Sequence, residues 1–312
     1  MTMLRTLLNT GVALTLAYCP PAIAQQAAPA APASPAAAAT QDADPALWVV
    51  KDEDTTIYLF GTVHALKPGL SWFDEAVKSA FDKSDELVLE IVMPGPEDAQ
   101  KLQQIVMEKG VNMTGPSLTE KLPAEKRAAY AEMLKELGLP AEALDRLDPW
   151  FASMSIMQIM MPKIGFSPEN GAEATLTAAA KSAAKPISGV ETVEQQFGFF
   201  DGMSEKAQMD MLVGMIDERN KTQEVLEQML ALWKAGKPDE LAALIEQFDA
   251  ESPEMHKVIF TDRNARWADW IKGRMAKPGT VFMAVGAGHL AGDDSVQAML
   301  KPMKIEATRI AY

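Results

Sequence analysis

The 312-residue chain has three histidines, and two of them share one context. His64 ends the run IYLFGTVH and His289 ends TVFMAVGAGH; each is a strand-like apolar stretch, then Gly, two residues and His (residues 61–64 and 286–289). In an open α/β sheet, ligands bind beyond the carboxyl ends of the strands, so both imidazoles stand where a site would form. The glycines let the backbone turn sharply or approach a ligand closely. Two carboxylates occupy matching places. Glu90 lies inside the apolar run ELVLEIV, and Glu191 directly follows PISGV. An unpaired carboxylate in a buried strand costs several kcal/mol or takes up a proton. Glu90 therefore requires a metal ion, an arginine or a histidine as partner.

Two His with one or two Glu from separate strand ends form a donor set suited to Zn, Mn, Co or Fe. An ion held this way would acidify a water for attack on a carbonyl, with a spare glutamate as general base. Plainer readings stand beside this one. A His after a strand is commonly a hydrogen-bonded structural residue, and Glu191 can cap a helix expected over residues 192–199. The segment DRNARW (residues 262–267) is either a solvated helix face or sends Arg263 inward to hold a carboxylate or an oxyanion. His256, in PEMHK, reads as exposed and inert. Met154, Met157, Met160 and Met161 share helical spacing with Ile156 and Ile159, and read as core or a pliable groove rather than as ligands.

The elements that must position these groups follow from the hydropathy pattern. Residues 47–50 and 56–63 flank Asp52, Glu53 and Asp54 and read as a hairpin. Further β-like runs cover residues 86–92, 186–190, 280–285 and 305–310. Helical patterns at residues 72–83 and 171–184 have the length of βαβ crossovers. The helix over 292–300 leads into a last strand that can pair in either direction. Two longer helical blocks, at about 97–161 and 204–275, interrupt the alternation. The expected fold is α/β: a central mostly parallel sheet with an N-terminal hairpin, flanking helices and an inserted α-helical lobe over one face.

Residues 1–24 read as a secretory signal, with Arg5, an apolar stretch over 7–16, and Ala22, Ile23 and Ala24 before Gln25. This predicts a periplasmic or secreted protein cleaved after Ala24. Lipidation at Cys19 is the alternative, disfavoured because Tyr18 is too bulky for a lipoprotein box. Residues 25–45 form an Ala/Pro-rich linker with too few bulky side chains to fold, and residues 46–312 the α/β domain. If the single Cys leaves with the signal, disulfides, Cys-based zinc sites and a thiol nucleophile are excluded. With 43 acidic against 29 basic residues and a net charge of −14, the chain does not suit nucleic acid or anionic lipid. No segment after the signal offers about 18 uncharged apolar residues to span a membrane.

In order along the chain, LWVVKDEDTTIYLFGTVH, LVLEI, GAEATL, ISGVETVEQQ, DRNARW and VGAGHLAG resemble the TraB/GumN family. That family is related to the Tiki metalloproteases and, more distantly, to erythromycin esterase-like and ChaN-like proteins. The resemblance runs from about Leu47 to the C-terminus, and the paired Gly-x-x-His motifs with the intervening Glu are its most specific part. It implies a mostly parallel sheet with a helical lobe and, in the Tiki branch, metal-dependent peptide-bond cleavage favouring Mn or Co. Carried over by motif, His64, Glu90 and His289 are site residues, with Glu191, Arg263 and Asn264 as supporting matches. Glu173 stands in GAEATL where aspartate is also usual, which leaves its role open. Members of the family are associated with inhibition of peptide pheromone signalling or with polysaccharide gene clusters, and a distant relative binds haem.

The expectation is an exported metal-dependent hydrolase acting on a peptide or another small carbonyl substrate. His64, Glu90 and His289 would hold Mn, Co or Zn, with Glu90 as ligand or base and Glu191 as the second carboxylate. Arg263 and Asn264 would orient substrate or stabilise the oxyanion. The alternative is a non-catalytic envelope protein that sequesters a peptide or haem in the same pocket.

Overall fold

The computed structural model describes residues 40–249 and 252–312; the expected signal segment and the linker up to residue 39 lie outside them. The end of that linker is structured rather than free. A short strand β1 (Gln41–Asp42) pairs with residues 70–71 in parallel, and Ala43 is buried, its N–H donating to the Ser71 carbonyl.

The predicted hairpin forms from β2 (Leu47–Lys51) and β3 (Thr55–Thr62), antiparallel. Its turn is set by Asp52, whose Oδ1 accepts the main-chain N–H of Asp54 and Thr55, a local bond that Asp makes readily in turns. After β4 (Leu70–Ser71) come β5 (Glu86–Leu89), β6 (Ile187–Gly189), β7 (Gly279–Gly286) and β8 (Thr308–Ile310). The six-stranded sheet has the order β6-β5-β7-β3-β2-β8. β6, β5, β7 and β3 run parallel; β8 pairs antiparallel with β2 at the far edge, which settles the direction the sequence left open.

Side chains alternate across a strand with period two, and the central strands are apolar at both parities because both faces are covered. Along β7, Phe282 and Ala284 enter one core, while Val281, Met283 and Val285 enter the other. β3 divides the same way, with Phe60 opposed to Ile57 and Leu59, and β5 with Leu87 and Leu89 opposed to Val88.

The helices are α1 (Glu75–Lys83), α2 (Ala99–Lys109), α3 (Leu118–Lys121), α4 (Ala124–Leu137), α5 (Pro149–Lys163), α6 (Ala172–Ser182), α7 (Val193–Asp201), α8 (Glu205–Glu218), α9 (Thr222–Lys234), α10 (Pro238–Asp249), α11 (Pro253–His256), α12 (Asp262–Arg274) and α13 (Val296–Leu300). A π-helical turn, Lys257–Thr261, leads into α12. Trp150, Met211, Met215 and Trp233 draw the helical blocks into the larger core. α12 departs from the expectation of a lobe over one face. Its Trp267, Ala268 and Ile271 pack in the second core with Leu290, Val296 and Leu300, so the second block covers both faces of the sheet. The methionine stripe on α5 is packing: Met157 is buried, and Met154, Met160 and Met161 rest against the larger core. Among the described residues, no helix is long and apolar enough to cross a membrane.

Candidate active site

The two Gly-x-x-His segments leave adjacent parallel strands at the same end, with Gly61 opposite Val285 and Thr62 opposite Gly286. Each motif glycine keeps space for the other motif. A Cβ on Gly61 would stand 3.0 Å from the Ala287 Cα, and one on Gly286 would stand 3.2 Å from Glu90 Oε1, 3.3 Å from His64 Nε2 and 3.5 Å from His289 Cδ2. Glu90 reaches that point because β5 pairs with β7 up to Leu89 opposite Ala284, and the next residue lies beside the end of β7. Glu191 follows β6 in the same way, its N–H donating to the Glu90 carbonyl at 2.8 Å. α12 adds Arg263 and Asn264. α6 adds Glu173, and its N-cap Gly171 lies so close to the His64 carbonyl that a Cβ there would overlap it.

Arg263 is the hub. It is 1% exposed, beside Glu90 at 4% and Glu191 at 7%. Its Nη2 donates to Glu90 Oε2 and to Glu191 Oε2, both at 2.7 Å, and its Nε donates to Glu191 Oε1 at 3.0 Å. Gln196 Nε2 bridges the same two carboxylates at 3.2 and 3.0 Å. The Gly286 N–H donates to Glu90 Oε1 at 2.7 Å, and Trp267 Nε1 donates to Glu191 Oε1 at 3.1 Å. The partner that Glu90 required is therefore an arginine, with a histidine near it. Burial opposes the charge on Arg263, but the two glutamates outweigh it and raise the guanidinium pKa.

The two imidazoles are held in different charge states. His289 is fully buried between Trp267 and Phe260. Its Nε2 lies 3.1 Å from Arg263 Nη1, and its Nδ1 lies 2.6 Å from Asn264 Oδ1. Arginine can only donate, so Nε2 accepts, Nδ1 carries the proton and the ring is neutral. Burial, reinforced by the charges of Arg263 and His64, pushes its pKa well below the ordinary value. His64 Nδ1 lies 2.5 Å from Glu173 Oε1. Burial works against protonation here too, but Glu173 outweighs it and raises the imidazole to about 9, while the same pairing holds Glu173 below the usual carboxylate range.

A pH test follows. A group whose pKa is raised by folding stabilises the fold fully below its unfolded pKa, and that contribution is lost as pH rises through the folded value. In chelator, urea midpoints should fall between about pH 6.5 and 9, the window spanned by the shift of His64. In Glu173→Gln that fall should largely disappear; an equal fall in both proteins would refute the pairing.

His64, Glu90 and Glu173 line a cleft of about 420 Å³, together with Leu89, residues 91–93, Ala174, Ala178 and Ile187. Glu191, Arg263, Asn264 and His289 do not line it and stand behind its floor. Among the described residues, no three His, Cys, Asp or Glu are drawn together to hold a metal ion. Arg263 engages two of the expected ligands, Glu90 Oε2 and His289 Nε2. The donor chemistry nonetheless fits a divalent ion. His289 has Nδ1 set by Asn264 Oδ1, the way proteins orient metal-binding histidines, and His64 Nδ1 faces Glu173 Oε1 as an ion pair. His64 Nε2 is buried without a hydrogen-bond partner, and His289 Nε2 lies 3.8 Å from Glu90 Oε1. Binding would require Arg263 Nη1 to release His289 Nε2.

Two residues of the site were not read from the sequence. Glu173 has an open role in the sequence, since it stands in GAEATL where aspartate is also usual; its signal is its place in that segment, two residues after Gly171. Gln196 closes the segment ISGVETVEQQ, and its only signal is that place, one turn inside α7. Thr192, not Glu191, caps that helix, with its side chain accepting the Gln195 N–H. His256 is not exposed and inert: its Nε2 lies 2.8 Å from Asp294 Oδ2, and the Asp294 carbonyl accepts from Asn264 Nδ2, so it belongs to the packing behind His289.

The family model for TraB/PrgY/gumN matches residues 46–309. The uncharacterized protein YbaP of Escherichia coli strain K12 is 25% identical over 185 residues, covering 59% of this chain and 68% of the relative; the YbaP protein of Shigella flexneri aligns to the same extent. No solved structure matches.

Proposed function

The chain belongs to the TraB/PrgY/gumN family, and from that premise we propose that it is an exported, metal-dependent hydrolase of peptide bonds. The observation that carries the reading is the pair of imidazoles at one point: His64 Nε2 and Glu90 Oε1 both lie within 3.3 Å of where a Gly286 Cβ would stand, and His289 Nε2 lies 3.8 Å from the same Glu90 oxygen. Export rests on the signal-like residues 1–24, which imply a periplasmic or secreted protein.

His64, Glu90 and His289 would hold Mn, Co or Zn, and that ion would supply an acidified water and a polarised carbonyl. The remaining work falls to the chain itself. Glu173 and Asn264 set the two rings; both ends of the Asn264 amide are engaged, so it acts through His289 and not on substrate. Glu191, filled by Arg263, Trp267 and Gln196, holds the guanidinium in place. Arg263, its N–H groups committed to Glu90, Glu191, His289 Nε2 and the Ile259 carbonyl, likewise acts through those groups and not on substrate.

One observation favours the second reading, a protein that sequesters a peptide or haem without turnover: Arg263 already engages two of the three ligands. A single experiment separates the two. The purified exported protein is loaded with Mn, Co or Zn, assayed for metal, and tested for cleavage of a peptide library with and without chelator. Wild type should retain metal and cleave, while His64→Ala and His289→Ala lose both. Equal metal in all three proteins removes the metal site; metal without cleavage leaves the binder. Second-layer variants, Glu173→Gln and Asn264→Leu, should weaken metal retention by about 10–100-fold. N-terminal sequencing should begin at Gln25.

A further inference from the structure

We propose, on the basis of the peptidase reading, that the substrate docks as an extended polypeptide strand. It pairs its main chain with residues 91–93 and lowers an apolar side chain into the cleft beside them.

β5 ends at Leu89, but the chain continues without regular structure through Gly95. On the β6 side the chain stays alongside as far as Glu191, donating from Val190 and Glu191 to the Leu89 and Glu90 carbonyls with Gly189 packed against Ile91 and Val92, but it makes no main-chain bond to residues 91–93. β6 ends at Gly189 opposite Leu89, and β7 ends at Gly286 and enters the tight turn Ala287–Leu290. Among the described residues, no main-chain hydrogen bond involves the N–H or C=O of Ile91, Val92 or Met93. Ile91 is buried, Val92 is 46% exposed and Met93 is half-buried. This is an unpaired strand edge, the kind of template onto which another chain adds.

All three residues line the cleft. The opposite wall is α6, which presents Ala174 and Ala178, exposed and one turn apart, with no side chain beyond Cβ. The slot is therefore apolar along residues 91–93 and at Ala174 and Ala178, carries Thr177 and Lys181 on the same helix, and is floored by His64, Glu90 and Glu173. Ile91 directly follows Glu90, and a strand advances only about 3.3 Å per residue. A chain paired with residues 91–93 would carry its own carbonyls across that floor. A free row of main-chain donors and acceptors is matched by another polypeptide backbone, and 420 Å³ accepts one large side chain rather than a folded domain.

The test uses quenched fluorescent decapeptides with a single Phe or Leu in a Gly/Ser/Ala background, bound to the full exported protein in chelator. N-methylation at successive residues should weaken binding at alternate positions, about three- to tenfold each, with the period of two that strand pairing imposes. Ala178→Leu, on an exposed helix position that should leave the urea midpoint unchanged, should weaken the Phe peptide by about tenfold or more. An N-methyl scan without alternation, or Ala178→Leu binding as tightly as wild type, overturns the proposal. Cleavage by metal-loaded protein without alternation would remove this docking mode and leave the hydrolase. Alternating binding without cleavage would keep the docking mode and remove the hydrolase.

Discussion

Arg263→Met is expected to destabilise the protein by about 3–5 kcal/mol, because it strands two buried carboxylates whose hydrogen-bonded cation is this one guanidinium. Glu90 and Glu191 accept four of their hydrogen bonds from this guanidinium, at 2.7 to 3.1 Å. Removing it leaves Gln196, the Gly286 N–H and Trp267 as donors, with Arg266 Nη2 at 3.8 Å from Glu191 Oε1 as the nearest remaining guanidinium and none on Glu90. One carboxyl must then take up a proton or draw water into the core. Arg263→Lys should recover only part of the loss, since a single ammonium cannot reproduce the planar fork. The triple variant Arg263→Met, Glu90→Gln, Glu191→Gln should regain much of the stability, because neutralising a whole buried cluster costs less than halving it. Urea midpoints in chelator measure all three. A loss below about 1 kcal/mol for Arg263→Met, the range of an exposed ion pair, would mean that the cluster is not the hub described.

Gly286→Ala should separate the chemistry from the fold more sharply than any histidine variant. Its Cβ would enter among Glu90 Oε1, His64 Nε2 and His289 Cδ2, within 3.2 to 3.5 Å of each. These distances are tight rather than impossible, so the fold should lose only about 1–3 kcal/mol, the usual range for overpacking. The site atoms must yield by a few tenths of an ångström, and displacements of that order or somewhat larger can cost about a hundredfold in rate. kcat/KM and metal retention should both fall by far more than a midpoint shift of about 1–3 kcal/mol explains. Gly198→Ala is the control: a Cβ there meets nothing within 4 Å, and removing a helical glycine should stabilise by about 0.4–1 kcal/mol. Full activity in Gly286→Ala would place the reacting atoms somewhere other than this point.

Much of the scaffold was legible before the structure. Short continuous apolar runs identify β3, β5 and β7, because a strand between two covered faces must be apolar at both parities. The placement of His64 and His289 at strand ends was likewise readable, since Gly-x-x-His after an apolar run has few other homes. The need of Glu90 for a partner followed from the cost of burying a carboxylate. Which partner it would find did not follow. Metal, arginine and histidine were all admissible, and the structure supplies Arg263 from a helix 173 positions away.

The sequence by itself determined the elements, the strand-end positions of the imidazoles and the requirement that a buried charge be met. Only the tertiary structure decided the pairings: Glu173 on His64, Asn264 on His289, and Arg263 between both glutamates and His289. Propensity and periodicity act over a few residues and are written locally. Charge pairing and hydrogen bonding fall off within a few ångströms, so they are decided by which helix is packed over which strand end, and no spacing along the chain encodes that distance.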